Sequence, residues 1–100
     1  MNPIEQYNSA IQALCVRHKV KRLYAFGSVL TDRFNKDSDI DLMVDFEPLD
    51  LSLYADNYYS LKFALEDTLR RQVDLLEEKA IKNPYFRKAI ENQKQLIYGS

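Results

Sequence analysis

Gly27-Ser28, a short spacer containing Arg33, and then Ser38-Asp39-Ile40-Asp41-Leu42 form the most informative stretch of this chain. Asp39 and Asp41 flank a single apolar residue and run into Leu42-Met43-Val44, a strand-like sequence. Side chains alternate along a strand, so carboxylates at i and i+2 share a face. Like charges set side by side repel unless a cation lies between them. A divalent metal on oxygen ligands resolves the conflict. The Gly27-Ser28 pair follows a second strand-like run, Val20 to Phe26. Glycine there allows close backbone approach, and a helix opening at Ser28 offers free amides to a phosphate. Metal and phosphate together point to nucleotide chemistry.

The rest of the chain supplies a frame for that motif. Asn2, Pro3 and Glu5 have the pattern of a helix start, and Ile4, Tyr7, Ile11, Leu14, Cys15 and His18 recur at helical spacing. A strand to Phe26 follows, then a short helix from Ser28 to about Phe34 and a turn at Asn35-Lys36-Asp37. A second strand runs from Asp39 to Phe46 and stops at Glu47-Pro48. A long helix over Leu51–Leu69 turns Tyr54, Tyr58, Leu61, Leu65 and Leu69 inward. A third strand lies over Gln72 to Glu77, and Asn83-Pro84 opens a last helix whose apolar contacts are Phe86, Ile90 and Ile97.

Connection lengths constrain the topology. The link between the first two strands is barely long enough for a parallel crossover, so an antiparallel pair is favoured. It sets Gly27 beside Asp39. The link from the second strand to the third holds a full helix and permits a parallel pair. The expected fold is α/β with α+β character, in the order α-β-α-β-α-β-α: a mixed three-stranded sheet flanked by helices, with Gly27, Ser28, Asp39, Asp41 and Asp74 at one edge.

Phe26-Gly27-Ser28 together with Ser38-Asp39-Ile40-Asp41-Leu42 resembles the signature of the polymerase-β-like nucleotidyltransferases. More narrowly, it resembles the minimal nucleotidyltransferases, which act as antitoxins to HEPN-domain RNase toxins. Asn83-Pro84-Tyr85-Phe86-Arg87 is similar to that family's closing helix. The resemblance covers nearly the whole chain, so residues 1–100 are expected to form a single minimal nucleotidyltransferase domain. It implies that Asp39 and Asp41 bind Mg²⁺ in a two-ion site, and that Asp74 completes the metal triad and assists deprotonation of the acceptor. It implies ATP as substrate, with Gly27 and Ser28 at the terminal phosphates, Arg33 on the triphosphate and Ser38 in the nucleotide-binding set. Finally, it implies transfer of AMP to a hydroxyl of a partner protein, a tyrosine on a HEPN toxin.

Each of these residues also has a simpler reading. Asp74 interrupts the apolar run Val73-Asp74-Leu75-Leu76, and its simpler reading is a carboxylate that faces solvent from an edge strand. Gly27-Ser28 can end a strand and cap a helix. Arg33 can be a surface charge. Ser38 can hydrogen-bond locally and orient the loop before Asp39. Asp45 and Asp56 are weaker candidates, Asp45 because it lies too far along the strand from Asp41. His18 is too isolated to be a metal ligand. The run Arg17 to Arg22 reads as a solvated helix-to-strand junction. The tyrosines read mostly as core or interface residues.

Composition bounds the remaining choices. One hundred residues with 46% hydrophobic content suit one small core. A net charge of −1 argues against direct, nonspecific nucleic-acid binding. A single cysteine allows no internal disulfide and fits a cytoplasmic setting. No apolar run approaches the ~18 residues of a membrane span, and the first residues lack the pattern of a signal peptide. A homo- or hetero-oligomer is expected as well, and two other functions compete: an antitoxin that neutralises its partner by binding alone, and a transferase acting on a small molecule or an RNA end. A chain this short has no room for an elaborate acceptor pocket, which favours an acceptor on a separate protein.

Overall fold

The computed structural model describes residues 2–99. Asn2 caps a first helix, α1 (Pro3–Gln6), by accepting the Glu5 amide at 3.0 Å. The sequence spacing predicts one continuous helix to His18. The backbone instead breaks at Tyr7, and α2 (Asn8–Arg17) starts afresh without a side-chain cap. Ile4, Ile11 and Cys15 still reach one core, and Tyr7 packs against it, so the break preserves the apolar stripe. His18 closes α2; its ring is buried between the Leu14 carbonyl and the Ser60 hydroxyl, which accounts for it without a metal.

Strand β1 (Val20–Phe26) pairs antiparallel with β2 (Ile40–Phe46), and β2 pairs in parallel with β3 (Val73–Glu77). Between β2 and β3 lies α3 (Leu51–Leu69), whose first turn is capped by the Asp50 carboxylate on the Ser52 amide. It ends at Arg70, which takes the left-handed conformation usually left to glycine. Asn83 caps α4 (Pro84–Gln93) through the amides of Tyr85 and Phe86.

The sheet has four strands rather than three. β4 (Gln95–Tyr98) adds antiparallel to the free edge of β1, giving the order β3-β2-β1-β4. Ile97 therefore lies on a strand and not on the last helix, whose end is fixed by extended backbone at Lys94. The gain is physical: β4 satisfies edge amides and carbonyls of β1 that would otherwise stay open.

The two sheet faces are unequally covered. Leu23, Ala25, Ile40, Leu42 and Val44 pack with Ile11, Cys15, Leu61 and Leu65 under α2 and α3. On the opposite face a smaller cluster of Phe26, Met43 and Ile90 holds α4. Tyr54 and Tyr58 are partly buried and donate to the Glu77 carboxylate and the Leu75 carbonyl. Tyr59 and Tyr85, by contrast, are exposed and lie outside the core. Among the described residues no helix is long and apolar enough to cross a membrane.

Candidate active site

Two carboxylates, Asp41 and Asp74, lie on strands on the α4 side of the sheet. Asp41 pairs with Phe26 across β1 and β2. It also pairs with Asp74 across β2 and β3. Residues in register on neighbouring strands project to the same face, so Asp41 and Asp74 stand side by side there. Asp39 lies one residue before β2 rather than within it, on an exposed loop end anchored by the Ile40 amide on the Gln72 carbonyl. Asp39 and Asp74 line the same open cleft of about 480 Å³. Desolvation, then the charge of Asp74, then that of Asp39 hold the Asp41 carboxyl above its ordinary range.

Gly27 begins the turn at the end of β1 with φ +78°, and a side chain there would collide with the Asp41 carboxylate. The segment that follows is a short 3₁₀ helix over Gly27–Leu30, not a helix running from Ser28 to Phe34. Thr31 stops it: its backbone is extended, and its hydroxyl and amide both bind the Ser28 carbonyl. No side chain caps its start, so the cap reading of Ser28 does not apply.

Ser38 does orient the loop, accepting the Asn35 amide at 3.1 Å while its own amide binds the Asn35 carbonyl. Arg33 is exposed, and its side chain enters no hydrogen bond or ion pair among the described residues. Asp45 is buried and held at 3.0 Å by Arg22, an ion pair that removes it from the site. Asp56 is exposed on α3.

Among the described residues no three His, Cys, Asp or Glu side chains form a ready-made metal cage. The donor set nevertheless suits Mg²⁺. That ion is commonly held by one or two carboxylates together with substrate phosphates, not by an all-protein shell. Sequence reasoning missed Lys62, Glu66 and Gln72, which line the cleft with Asp39 and Asp74. It also missed Arg71, which donates to the Asn35 and Ser38 carbonyls. Lys62 and Glu66 read locally as an ordinary i,i+4 surface pair, which they also form, at 3.3 Å.

A parallel β2-β3 pair with in-register aspartates, fed by a glycine turn from an antiparallel β1, is the frame of a nucleotidyltransferase. Residues 8–97 match the model of the nucleotidyltransferase domain family, and the chain belongs to that family. It is similar to a putative protein adenylyltransferase of Methanocaldococcus jannaschii, 39% identical over 82% of this chain and 79% of the relative. A second such protein of that archaeon is 32% identical over 90% of this chain and 92% of its own length. A solved minimal nucleotidyltransferase superposes with a TM-score of 0.76 at 32% identity, covering 95% of each chain. An MNT antitoxin in complex with a tri-AMPylated HEPN toxin of Shewanella oneidensis shares the fold, with a TM-score of 0.66 at 21% identity over 96% of this chain and 72% of that one.

Proposed function

We propose that this chain is a Mg²⁺-dependent nucleotidyltransferase that moves AMP from ATP to a tyrosine hydroxyl of a HEPN-domain toxin, and so acts as its antitoxin in the cytoplasm. The observation that carries the reading is the Asp41–Asp74 pairing, with Asp39 on the same cleft and Gly27 backing onto Asp41. Retaining three converging carboxylates costs a folded domain electrostatic repulsion, which binding alone does not require. The acceptor is supported by the relatives' names and by the antitoxin of the same fold, and this analogy sets the target rather than the chemistry.

Asp39, Asp41 and Asp74 would hold Mg²⁺, which supplies charge neutralisation at the phosphates and a lowered pKa for a bound hydroxyl. The backbone amides of the Gly27-Ser28 turn and the Ser28 hydroxyl would bind and orient the outer phosphates. Arg33, on its exposed loop, is free to close on the triphosphate. Asp74, exposed at the edge strand, takes the proton from the incoming hydroxyl. The acceptor oxygen then bonds to the α-phosphorus, the bond to the β-phosphate oxygen breaks, and pyrophosphate leaves.

Incubation with α-labelled ATP, Mg²⁺ and the HEPN partner tests this. Label on the partner, lost in Asp74→Ala, is the expected result. Inhibition of the partner without label, unchanged in Asp39→Ala and Asp41→Ala, would replace it with neutralisation by binding. Label only on RNA or on an added small molecule would move the acceptor to those classes.

A further inference from the structure

We infer that Arg71 is a positioning residue that ties the loop carrying Asp39 to the strand carrying Asp74. Asp39 precedes the first residue of β2, so the strand ladder reaches its backbone only through the Ile40 amide on the Gln72 carbonyl. The loop before it is exposed from Thr31 to Asp37 except at Phe34. Local turns at Asn35 and Ser38 shape this loop, and Phe34 packs against the main core, but neither fixes the backbone directly before Asp39.

Arg71 ties down that backbone. One guanidinium nitrogen donates to the Asn35 carbonyl at 2.6 Å and to the Ser38 carbonyl at 2.9 Å. The guanidinium also lies 4.3 Å from the centroid of the Phe34 ring. Charge-assisted bonds of this kind are stronger than neutral ones, and stacking adds to them. Ser38 is the residue directly before Asp39, so the clamp acts one residue from the carboxylate it places.

The other end of the clamp is equally fixed. Gln72 receives the Ile40 amide at 3.1 Å. The Val73 amide points away from β2, at the sheet edge, and is taken by the Glu66 carboxylate at 2.9 Å. Asp74 comes next. Four consecutive residues therefore hold the Asp39 loop, open the β2-β3 ladder, anchor the edge to α3 and carry a site carboxylate. Removing the guanidinium frees the loop without touching any of the three carboxylates.

This inference rests on the metal-site reading above, and its test separates the two. Arg71→Met keeps the stem and removes the donors; Arg71→Lys keeps a charged donor nitrogen. Three quantities are read per folded protein: amide hydrogen exchange at residues 35–40, binding of Mn²⁺ alone followed by its electron-spin signal, and kcat for AMP transfer. In Arg71→Met, exchange rises, and Mn²⁺ affinity and kcat each fall by about 10–100-fold, the usual range for residues that orient metal ligands. Arg71→Lys recovers part of each. Wild-type exchange and Mn²⁺ affinity in Arg71→Met overturn the inference. So does an equal loss in both variants that merely follows a lower melting temperature. If the wild type binds Mn²⁺ but transfers nothing, the proposed reaction fails while exchange and Mn²⁺ affinity still decide the role of Arg71. If the wild type does not bind Mn²⁺, the metal site and this inference fall together.

Discussion

The Asp41 carboxylate occupies the space in which a side chain on Gly27 would begin. Two independent requirements meet at that glycine. Its φ of +78° lies in the left-handed region, and its missing Cβ leaves room for a site carboxylate. The glycine turn thereby lies directly against the Asp41 carboxylate.

Gly27→Ala should therefore lose stability and metal affinity together. The left-handed backbone alone costs an alanine about 1–2 kcal/mol. Displacement of Asp41 adds to this and should weaken Mn²⁺ binding beyond the loss of folded protein. Urea denaturation and a Mn²⁺ titration measure the two parts, and a wild-type urea midpoint would contradict the argument.

Asp41→Asn should stabilise the metal-free protein at neutral pH. Burial, Asp74 and Asp39 hold the Asp41 carboxyl above its ordinary value of 3.8, so the folded state keeps this proton to higher pH than the unfolded chain does. Stability then falls as pH rises from the ordinary carboxylate range through the raised value, and the whole penalty persists above it. Asparagine removes the penalty. Because the group is partly exposed, the gain at pH 7 stays under about 1 kcal/mol. It should shrink as pH falls into the carboxylate range and reverse when Mg²⁺–ATP is added. Thermal melts at several pH values, with and without Mg²⁺–ATP, check both signs.

Those two residues also mark what a sequence can disclose. The Asp39-Ile40-Asp41 alternation and the glycine before the spacer are local patterns, readable because strand geometry has a fixed period. The Leu51–Leu69 helix is legible for the same reason, its stripe of Leu61, Leu65 and Leu69 being buried. β4 is not: Gln95-Leu96-Ile97-Tyr98 has no alternating burial, and it is a strand because the β1 edge offers hydrogen bonds. The Tyr7 break keeps its apolar period and so leaves no trace in the pattern. The role of Arg71 depends on two backbone carbonyls more than thirty residues away, and carbonyls carry no sequence signature.

Cys15 should be inert in the native protein. Its side chain is fully buried and burial pushes the thiol up to about 12, leaving almost no thiolate near neutrality. Reaction with an aromatic disulfide reagent at pH 8 should be slower than in the urea-unfolded chain by on the order of 100-fold. Comparable rates would mean that the α2–sheet core opens readily.

Ser28→Ala separates structure from chemistry at the glycine turn. The 3₁₀ helix over Gly27–Leu30 has no side-chain cap, and the contacts of Ser28 run through its carbonyl, which Thr31 holds from both its amide and its hydroxyl. Alanine keeps that carbonyl, so the urea midpoint should correspond to a change within ~0.5 kcal/mol. The hydroxyl is left for a ligand. If it contacts a phosphate whose charge grows in the transition state, its loss appears in kcat, and a tenfold fall corresponds to about 1.4 kcal/mol. Steady-state transfer assays with varied ATP give kcat and KM separately. A fall in kcat at unchanged stability assigns the hydroxyl to the reacting phosphates. An unchanged kcat leaves phosphate contact to the turn amides alone, and a lowered urea midpoint with normal kcat would give Ser28 a structural role that its hydrogen bonds do not support.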